Sequence, residues 1–441
     1  MNFPDNSRSL FFSAKTTVPW WLPSGAALFL FVLFLTPGCK ETGDRHKTSQ
    51  DGSQHHETAR HSGRTDGGTR SPDGKLPEYK GSESIHTNSG ASPSRMWQIE
   101  PGPDESTRTV QDMLGRRVSI PNDVTRVIGL RAGALRMIAY LDAVDLVAGV
   151  EEPELRSDRP YLSAYPQLKS KPAVGPQMGG DPELLAAAAP DLIFMTFTTR
   201  GQADALQARI NIPVIALDYG DFSGNLDTFF ESLRLMAAVI DRRDRADSLI
   251  SGMRKSMDDL IKRTSAIPPD DRPRVYIGGV SYRGAKGITS TEPFYPPFRL
   301  IHAHNVAESI DPRLVNPIQG TYIDKEQLLI WNPEVLFLDL SSLHTAGPEL
   351  RAGSPLAATL EAVRNGRIYG LLPYNNYAAN YEAILANAWY AGHVLYPELF
   401  EDQVLSDQLN RIFILFLGKN VYDEISSQSG GGFRRLDPDA F

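Results

Sequence analysis

Residues 181–194 read DPELLAAAAPDLIF, and residues 324–337 read DKEQLLIWNPEVLF. The two stretches align without a gap: Asp181 stands with Asp324, Glu183 with Glu326, Leu185 with Leu328 and Pro190 with Pro333. Each has the grammar of a short helix and a buried strand. The block opens on an acidic residue, apolar residues follow at helical spacing, a proline stops the helix, and an apolar run comes next. One such block can arise by chance. Its recurrence, with neighbouring strands at matching places, implies two homologous halves.

Working outward, residues 124–130 (VTRVIGL) predict a strand, 132–141 a helix with Leu135, Ile138 and Leu141 on one side, and 144–150 a second strand. Helices are expected at 182–189 and 203–210, and strands at 191–196 and 213–217. Residues 226–264 then hold no proline and a single glycine, Gly252, with Phe229, Leu233, Met236 and Ile240 at helical spacing. At about 1.5 Å per residue, such a helix could cross a whole domain. Beyond it the pattern resumes: strands at 275–280, 335–340 and 367–372, helices at 325–331 and 381–394, and a helix end or loop at 302–307. Strands alternating with helices imply mostly parallel sheets covered on both faces. The expected fold class is therefore α/β, two Rossmann-like lobes joined by one long α-helix, with a ligand cleft between them facing the strand ends. The boundaries read 1–39 signal peptide, 40–107 disordered tether, 108–224 N-terminal lobe, 225–270 linking helix and 271–441 C-terminal lobe.

A net charge of −8 over 441 residues offers no basic field to nucleic acid. Cys39 is the one cysteine, which excludes an intrachain disulfide and a thiolate zinc site. A polar start with Arg8 and Lys15, an apolar run at 26–35 and an abrupt end after Thr36, Pro37, Gly38 and Cys39 describe a secretory signal, too short to span a bilayer comfortably. The Gly38–Cys39 junction resembles a bacterial lipobox, which implies an acylated Cys39, although Thr36 stands where that motif usually has leucine. The competing reading is an uncleaved anchor; either puts the rest outside the cytoplasm. The tether holds His46, His55, His56, His61 and His86, which suit a solvated spacer better than a metal site.

Across about residues 108–402 the chain resembles the class III substrate-binding proteins of ABC importers for ferric siderophores, haem and cobalamin. The resemblance is carried by DMLGRRVSIP at 112–121, TRVI at 125–128, the block at 181–194, YIGG at 276–279, NVA at 305–307 and the block at 325–338. It implies a monomer outside the cytoplasm that binds a metal chelate and delivers it to a permease dimer and its ATPase. It also implies that Glu183 and Glu326 dock onto arginines of that permease. Read without the resemblance, both are first-turn helix acids favoured by the helix dipole.

Loops after the strands supply the cleft candidates: Arg131, Tyr161, Gln177, Met178, Phe197 and Arg200 from the first lobe, and Tyr282, Arg283, Tyr295, Tyr322, Tyr374, Asn376 and Tyr377 from the second. Aromatic rings with a few guanidinium and amide groups suit a bulky, partly apolar anion. Asn380 reads as the N-cap of the following helix. His302, His304, His344 and His393 form no recognisable ligand set, so neither a bare metal cargo nor a cofactor is expected. No nucleophile elbow, P-loop or His-Glu-x-x-His motif is present, and Glu151 and Glu152 are adjacent and so point apart. The competing function classes on the same scaffold are a chelatase-like enzyme and an extracellular sensor or scaffold.

Overall fold

The folded part starts earlier than composition suggests. The computed structural model describes residues 99–155, 159–176, 179–316 and 320–441. Its first strands, β1 (Ile99–Pro101), β2 (Thr107–Gln111) and β3 (Arg117–Pro121), form an antiparallel sheet. The expected tether boundary at 107 therefore moves back to Ile99, because Ile99 packs against the main core. The signal segment, Cys39 and the rest of the tether lie outside the described residues.

The DMLGRR motif pins this sheet to the first lobe. The Asp112 carboxylate accepts from the backbone N–H groups of Leu114 (3.0 Å), Arg116 (2.8 Å) and Ala216 (3.1 Å). The buried Arg116 side chain bonds Asp112, Asp204, Gln207 and the Val214 carbonyl. A buried guanidinium is tolerated because most of its donors are matched.

The N-terminal lobe is a parallel sheet ordered β5-β4-β6-β7, from β4 (Val127–Leu130), β5 (Val147–Gly149), β6 (Leu192–Met195) and β7 (Val214–Ala216). The C-terminal lobe is ordered β10-β8-β12-β13-β14, from β8 (Arg274–Gly278), β10 (His304–Asn305), β12 (Val335–Asp339), β13 (Ile368–Leu371) and β14 (Arg434–Arg435). Only β14 in that sheet runs antiparallel. A two-stranded ribbon of β9 (Ser290–Thr291) and β11 (Thr321–Tyr322) lies beside it.

The repeat read from sequence is a repeat of conformation. Asp181 and Asp324 both cap their helices through the side chain, to Glu183 and Leu184 N–H groups in one case and to Gln327 N–H in the other. Leu185 and Leu328 are fully buried. Ala189 and Asn332, each directly before the shared proline, both adopt left-handed backbone (φ 45° and 40°). The strand then pairs with the first strand of its lobe, β6 with β4 and β12 with β8.

The helical stretch between the lobes is broken once. Helix Leu226–Val239 ends at Ile240, Asp241 turns left-handed (φ 56°), and helix Arg243–Thr264 begins. No glycine or proline marks the break. The exposed carbonyls at the end of the first helix are met by guanidinium groups: Arg108 Nη2 to Val239 O at 2.6 Å and Arg243 Nη2 to Ala238 O at 3.5 Å. The second helix, 22 residues, is about 33 Å long. Gly252 lies on it against Leu415, so close that a Cβ would sit 2.5 Å from that side chain.

The last forty residues form helices Leu405–Leu417 and Tyr422–Gln428, then β14. They serve both lobes. Helix Leu405–Leu417 packs on helix Tyr381–Leu395 of the C-terminal lobe. It also meets the N-terminal lobe, with Phe416 against Tyr140 (ring centroids 5.0 Å apart) and Leu417 O accepting from Tyr165 OH at 2.8 Å. Arg245, on the linking helix, ties the two together by donating to Tyr140 O, Leu415 O and Phe416 O.

Candidate ligand cleft

Parallel strands deliver their following loops to one edge of each sheet, so cleft residues should come after β4, β6, β8 and β13. Those loops carry strained backbone. Arg131 (φ 69°), Phe197 (44°), Arg283 (55°), Tyr377 (55°) and Ala378 (68°) are all left-handed. The other left-handed side-chain residues, Asp142, Ala189, Asn211, Asp241, His302 and Asn332, close helices, where the conformation is ordinary. In a loop it costs each residue about 1–2 kcal/mol, and such strain gathers at ligand sites.

At the N-terminal lobe, Glu151 organises the edge. Its carboxylate accepts from Arg131 N (2.8 Å), Gly179 N (3.3 Å) and Tyr377 OH (2.6 Å). Burial pushes the Glu151 carboxyl up, and these three donors pull against that. The Arg131 guanidinium bonds Phe197 O and Gln202 Oε1, and its Nε is left without a partner. The Phe197 ring is 59% exposed.

The C-terminal lobe presents Arg283, which is exposed, and Tyr322, which is 51% exposed on β11. Behind them the side chains are buried or, for Glu292, half-buried. Tyr374 OH donates to Glu292, and burial pushes the Glu292 carboxyl up to about 7 against that bond. Asp339 is buried at the end of β12, where burial raises its pKa; it accepts from Ser281 N (3.2 Å) and Ser341 N (2.9 Å).

A strap, residues 374–380, joins the two edges. Asn375 Nδ2 donates to Ser281 O (3.1 Å) on the C-terminal side. On the N-terminal side, Arg136 from helix Ala134–Tyr140 is fully buried and holds the strap by its carbonyls: Nη1 to Ala379 O (2.9 Å), and Nη2 to Asn376 O (2.8 Å) and Tyr377 O (3.1 Å). Nη1 also donates to Tyr219 OH (2.9 Å), whose own hydrogen goes to Ala379 O (2.8 Å). Burial works against the charge on Arg136, but Tyr219, Tyr140, Tyr161 and Glu382 around it outweigh burial and raise its pKa. Asn380 stands at the start of helix Tyr381–Leu395 as expected, but makes no capping bond. Its Nδ2 donates to Tyr374 O and Asn376 O instead.

The structure thus brings Arg131, Phe197, Tyr377 and Asn376 into one neighbourhood around Glu151 and the strap. Arg283 and Tyr322 are placed on the surface of the other lobe. Other expected cleft residues serve as wall. Tyr161 is fully buried, donating to Glu154 at 2.5 Å, with the Arg136 guanidinium 5.3 Å from its ring centre. Tyr295 is buried and accepts from Asn387 Nδ2. Tyr282 and Tyr374 are each only 8% exposed. Arg200 is tied to Leu114 O (2.7 Å), at the turn of the opening hairpin. Gln177 and Met178 lie outside the described residues. Glu183 and Glu326 are both exposed in the first turns of the repeated helices.

Among the described residues no cluster of His, Cys, Asp and Glu could hold a metal ion, and no helix is long and apolar enough to cross a membrane. His302 bonds Thr264, and His393 bonds Trp389 O and Gln403 O, which are structural roles. Arg136, Glu151 and Glu292 were not expected as site residues. Only the strand-end position of Glu151 could have signalled any of them.

A family model described as periplasmic binding protein matches residues 134–374, over half of the chain. The molybdate-binding protein MolA of Haemophilus influenzae is 24% identical over 332 residues, covering 70% of this chain and 90% of MolA. Its molybdate-bound structure superposes with a TM-score of 0.56 at 22% identity, over 71% of this chain and 98% of the other. A solute-binding protein of Veillonella parvula gives 0.58 at 18% identity (74% and 98% covered). CeuE of Helicobacter pylori, solved as a Ni-His complex, gives 0.51 at 16% (73% and 98%).

Proposed function

We propose, from the premise that this chain belongs to the class III periplasmic binding proteins, that it is the extracytoplasmic solute-binding component of an ABC importer and that its cargo is an anionic metal–organic chelate of the siderophore, haem or corrinoid kind. The observation that carries the cargo is that each lobe's edge offers a guanidinium and an exposed aromatic residue, Arg131 and Phe197 on one and Arg283 and Tyr322 on the other. Guanidinium groups match carboxylate or catecholate oxygens, and exposed aromatic faces match an organic shell.

A compact oxyanion, the ligand of the molybdate-binding relative, is the second reading, favoured by that relative's likeness over 90% of its own length. It would have little use for two rings more than half exposed. Purification from the native host, with absorbance and mass spectrometry of whatever co-purifies, decides between them. A coloured chelate supports the first reading. Molybdate, or no ligand and no chelate binding by the purified protein, would overturn it. Arg131→Ala and Arg283→Ala should each weaken chelate binding about tenfold or more.

Docking on the permease runs through Glu183 and Glu326. Both are exposed on equivalent helices, and Ile330, 76% exposed and four residues after Glu326, shares its helix face. A two-fold permease offers one pocket twice, and the pseudo-symmetric acids fit that demand. The chain acts as a monomer without catalysis, tethered through an acylated Cys39. Mass spectrometry of the mature N-terminal peptide tests the anchor: a peptide that begins before Cys39, or an unmodified Cys39, refutes it.

A further inference from the structure

The two acid-bearing helices repeat one another, but their outer faces do not match. On helix Pro182–Ala187, Glu183 shares its face with Ala186 and Ala187, three and four residues on, and all three are exposed. On helix Lys325–Trp331, Leu329 and Ile330 stand in those places. Ile330 is 76% exposed, the most exposed of the large apolar side chains among the described residues. Leu184 is also exposed, but it follows Glu183 directly and so lies on another side of its helix.

An isoleucine at that place does nothing for the isolated chain. It is a poorer helix former than the alanine of the other block, and it leaves apolar surface in water. The acid one turn before it is uncommitted as well. Neither the Glu326 nor the Glu183 carboxylate takes part in a hydrogen bond or ion pair among the described residues. Lys325, next to Glu326 in sequence, is held by Glu349 at 2.7 Å and does not answer its charge. The C-terminal lobe therefore presents a bare carboxylate and a bare aliphatic side chain about 5–6 Å apart. A partner that fits must offer a cation beside an apolar ledge. A second copy of this chain fits poorly, because it carries a net charge of −8 and would bring the same carboxylate to the contact. An anionic lipid surface would be repelled by Glu326 in the same way. A basic docking pocket with an apolar wall satisfies both groups at once, and an apolar anchor beside a charged contact is a common arrangement in protein interfaces.

We propose, resting on the docking reading above, that Ile330 is an apolar anchor for the importer's permease and that docking is lopsided: the C-terminal lobe grips through Glu326 and Ile330 together, the N-terminal lobe through Glu183 alone. On a two-fold permease both pockets are the same, so the ledge that Ile330 covers in one half lies uncovered opposite Ala187 in the other. The asymmetry belongs to the carrier, and a change in the carrier can remove it.

The test measures binding of the full chain to the host permease–ATPase complex in lipid nanodiscs, the complex being the one whose ATPase activity the wild-type chain stimulates. Ile330→Ser should weaken binding about tenfold, with cargo affinity and thermal midpoint unchanged, since serine and isoleucine have similar helix propensities. Ala187→Ile should tighten binding by about threefold or more, a gain that misfolding cannot imitate. Val404→Ser, at another exposed aliphatic residue, should change nothing. Glu183→Ala/Glu326→Ala is the reference. If that double variant loses binding while Ile330→Ser and Ala187→Ile both bind as wild type does, the anchor is overturned and the acid docking stands. If the double variant binds normally, the docking reading falls and the anchor with it. An equal loss in Val404→Ser would overturn the assignment to this helix. A dimer seen by sedimentation, or binding to phosphatidylglycerol vesicles, that disappears in Ile330→Ser would overturn it too, by giving the face to a second copy or to lipid.

Discussion

Replacing Arg136 with methionine tests whether one side chain holds the strap to the N-terminal lobe. Methionine keeps most of the volume and removes every donor. Tyr377 O then loses its donor, and Asn376 O is left with the long 3.4 Å bond from Asn380. Ala379 O keeps Tyr219 OH, and so is not orphaned. Both carbonyls are part-buried, so at about 1–3 kcal/mol for a fully buried one without a donor, the direct loss is at most about 2–5 kcal/mol. Relief from burying a guanidinium offsets part of this, while Glu382 loses its cationic neighbour. The expected net loss is about 3 kcal/mol. Urea unfolding followed by tryptophan fluorescence reads it as a lower midpoint at unchanged slope. Arg136→Lys should fall between, since a point charge cannot bridge carbonyls that lie in a fork. A loss below about 1 kcal/mol for Arg136→Met would refute the reasoning, and the strap would have to be held by other contacts.

Three other outcomes are expected. Glu183→Ala/Glu326→Ala should abolish uptake in cells while leaving ligand affinity intact; normal uptake would remove the docking assignment. Glu292 binds its proton more tightly when folded, up to about 7 against a usual value of 4.5. The folded state therefore holds more protons than the unfolded one between those values, and stability should fall as pH rises from 4.5 to 7, then level off. Each pKa unit is worth about 1.4 kcal/mol, and partial solvent contact makes about 3 kcal/mol an upper bound. Glu292→Gln should flatten that part of the denaturation profile, and an unchanged slope would reject Glu292 as its source. Gly133→Ala should destabilise by about 2–4 kcal/mol, because φ is 86° and the new Cβ would lie 2.3 Å from the Tyr219 ring; a thermal midpoint within a degree or so of wild type would contradict it.

What could be read from the sequence was local. The helices at 182–189 and 325–331 and the prolines that end them depend on neighbours a few residues away, and helix Lys325–Trp331 appears at the very residues expected. The strand-end loops were also legible, because parallel strands leave few other places for them. Which side chains would face the cleft was not. Tyr374 looks the same on paper whether it meets ligand or Glu292, which is 82 residues away. Arg136 reads as the solvent side of an amphipathic helix, since Leu135 and Ile138 mark its buried side. Its partners lie some 240 residues further on. The break at Asp241 escaped for another reason: it is stabilised by Arg108 from the opening hairpin rather than by a local breaker.

The helices that end the chain carry a consequence for anyone dividing it. Helix Leu405–Leu417 follows the second lobe in order, yet Lys419 Nζ reaches Ala164 O at 2.6 Å, and Gln428 exchanges hydrogen bonds with Ser163. Both are residues of the first lobe. A gene cut in the linker would give one fragment lacking its lid and another bearing a lid with nothing beneath it. The halves repeat one pattern but are not interchangeable parts, and a hybrid made by swapping lobes would have to carry the tail across with the front.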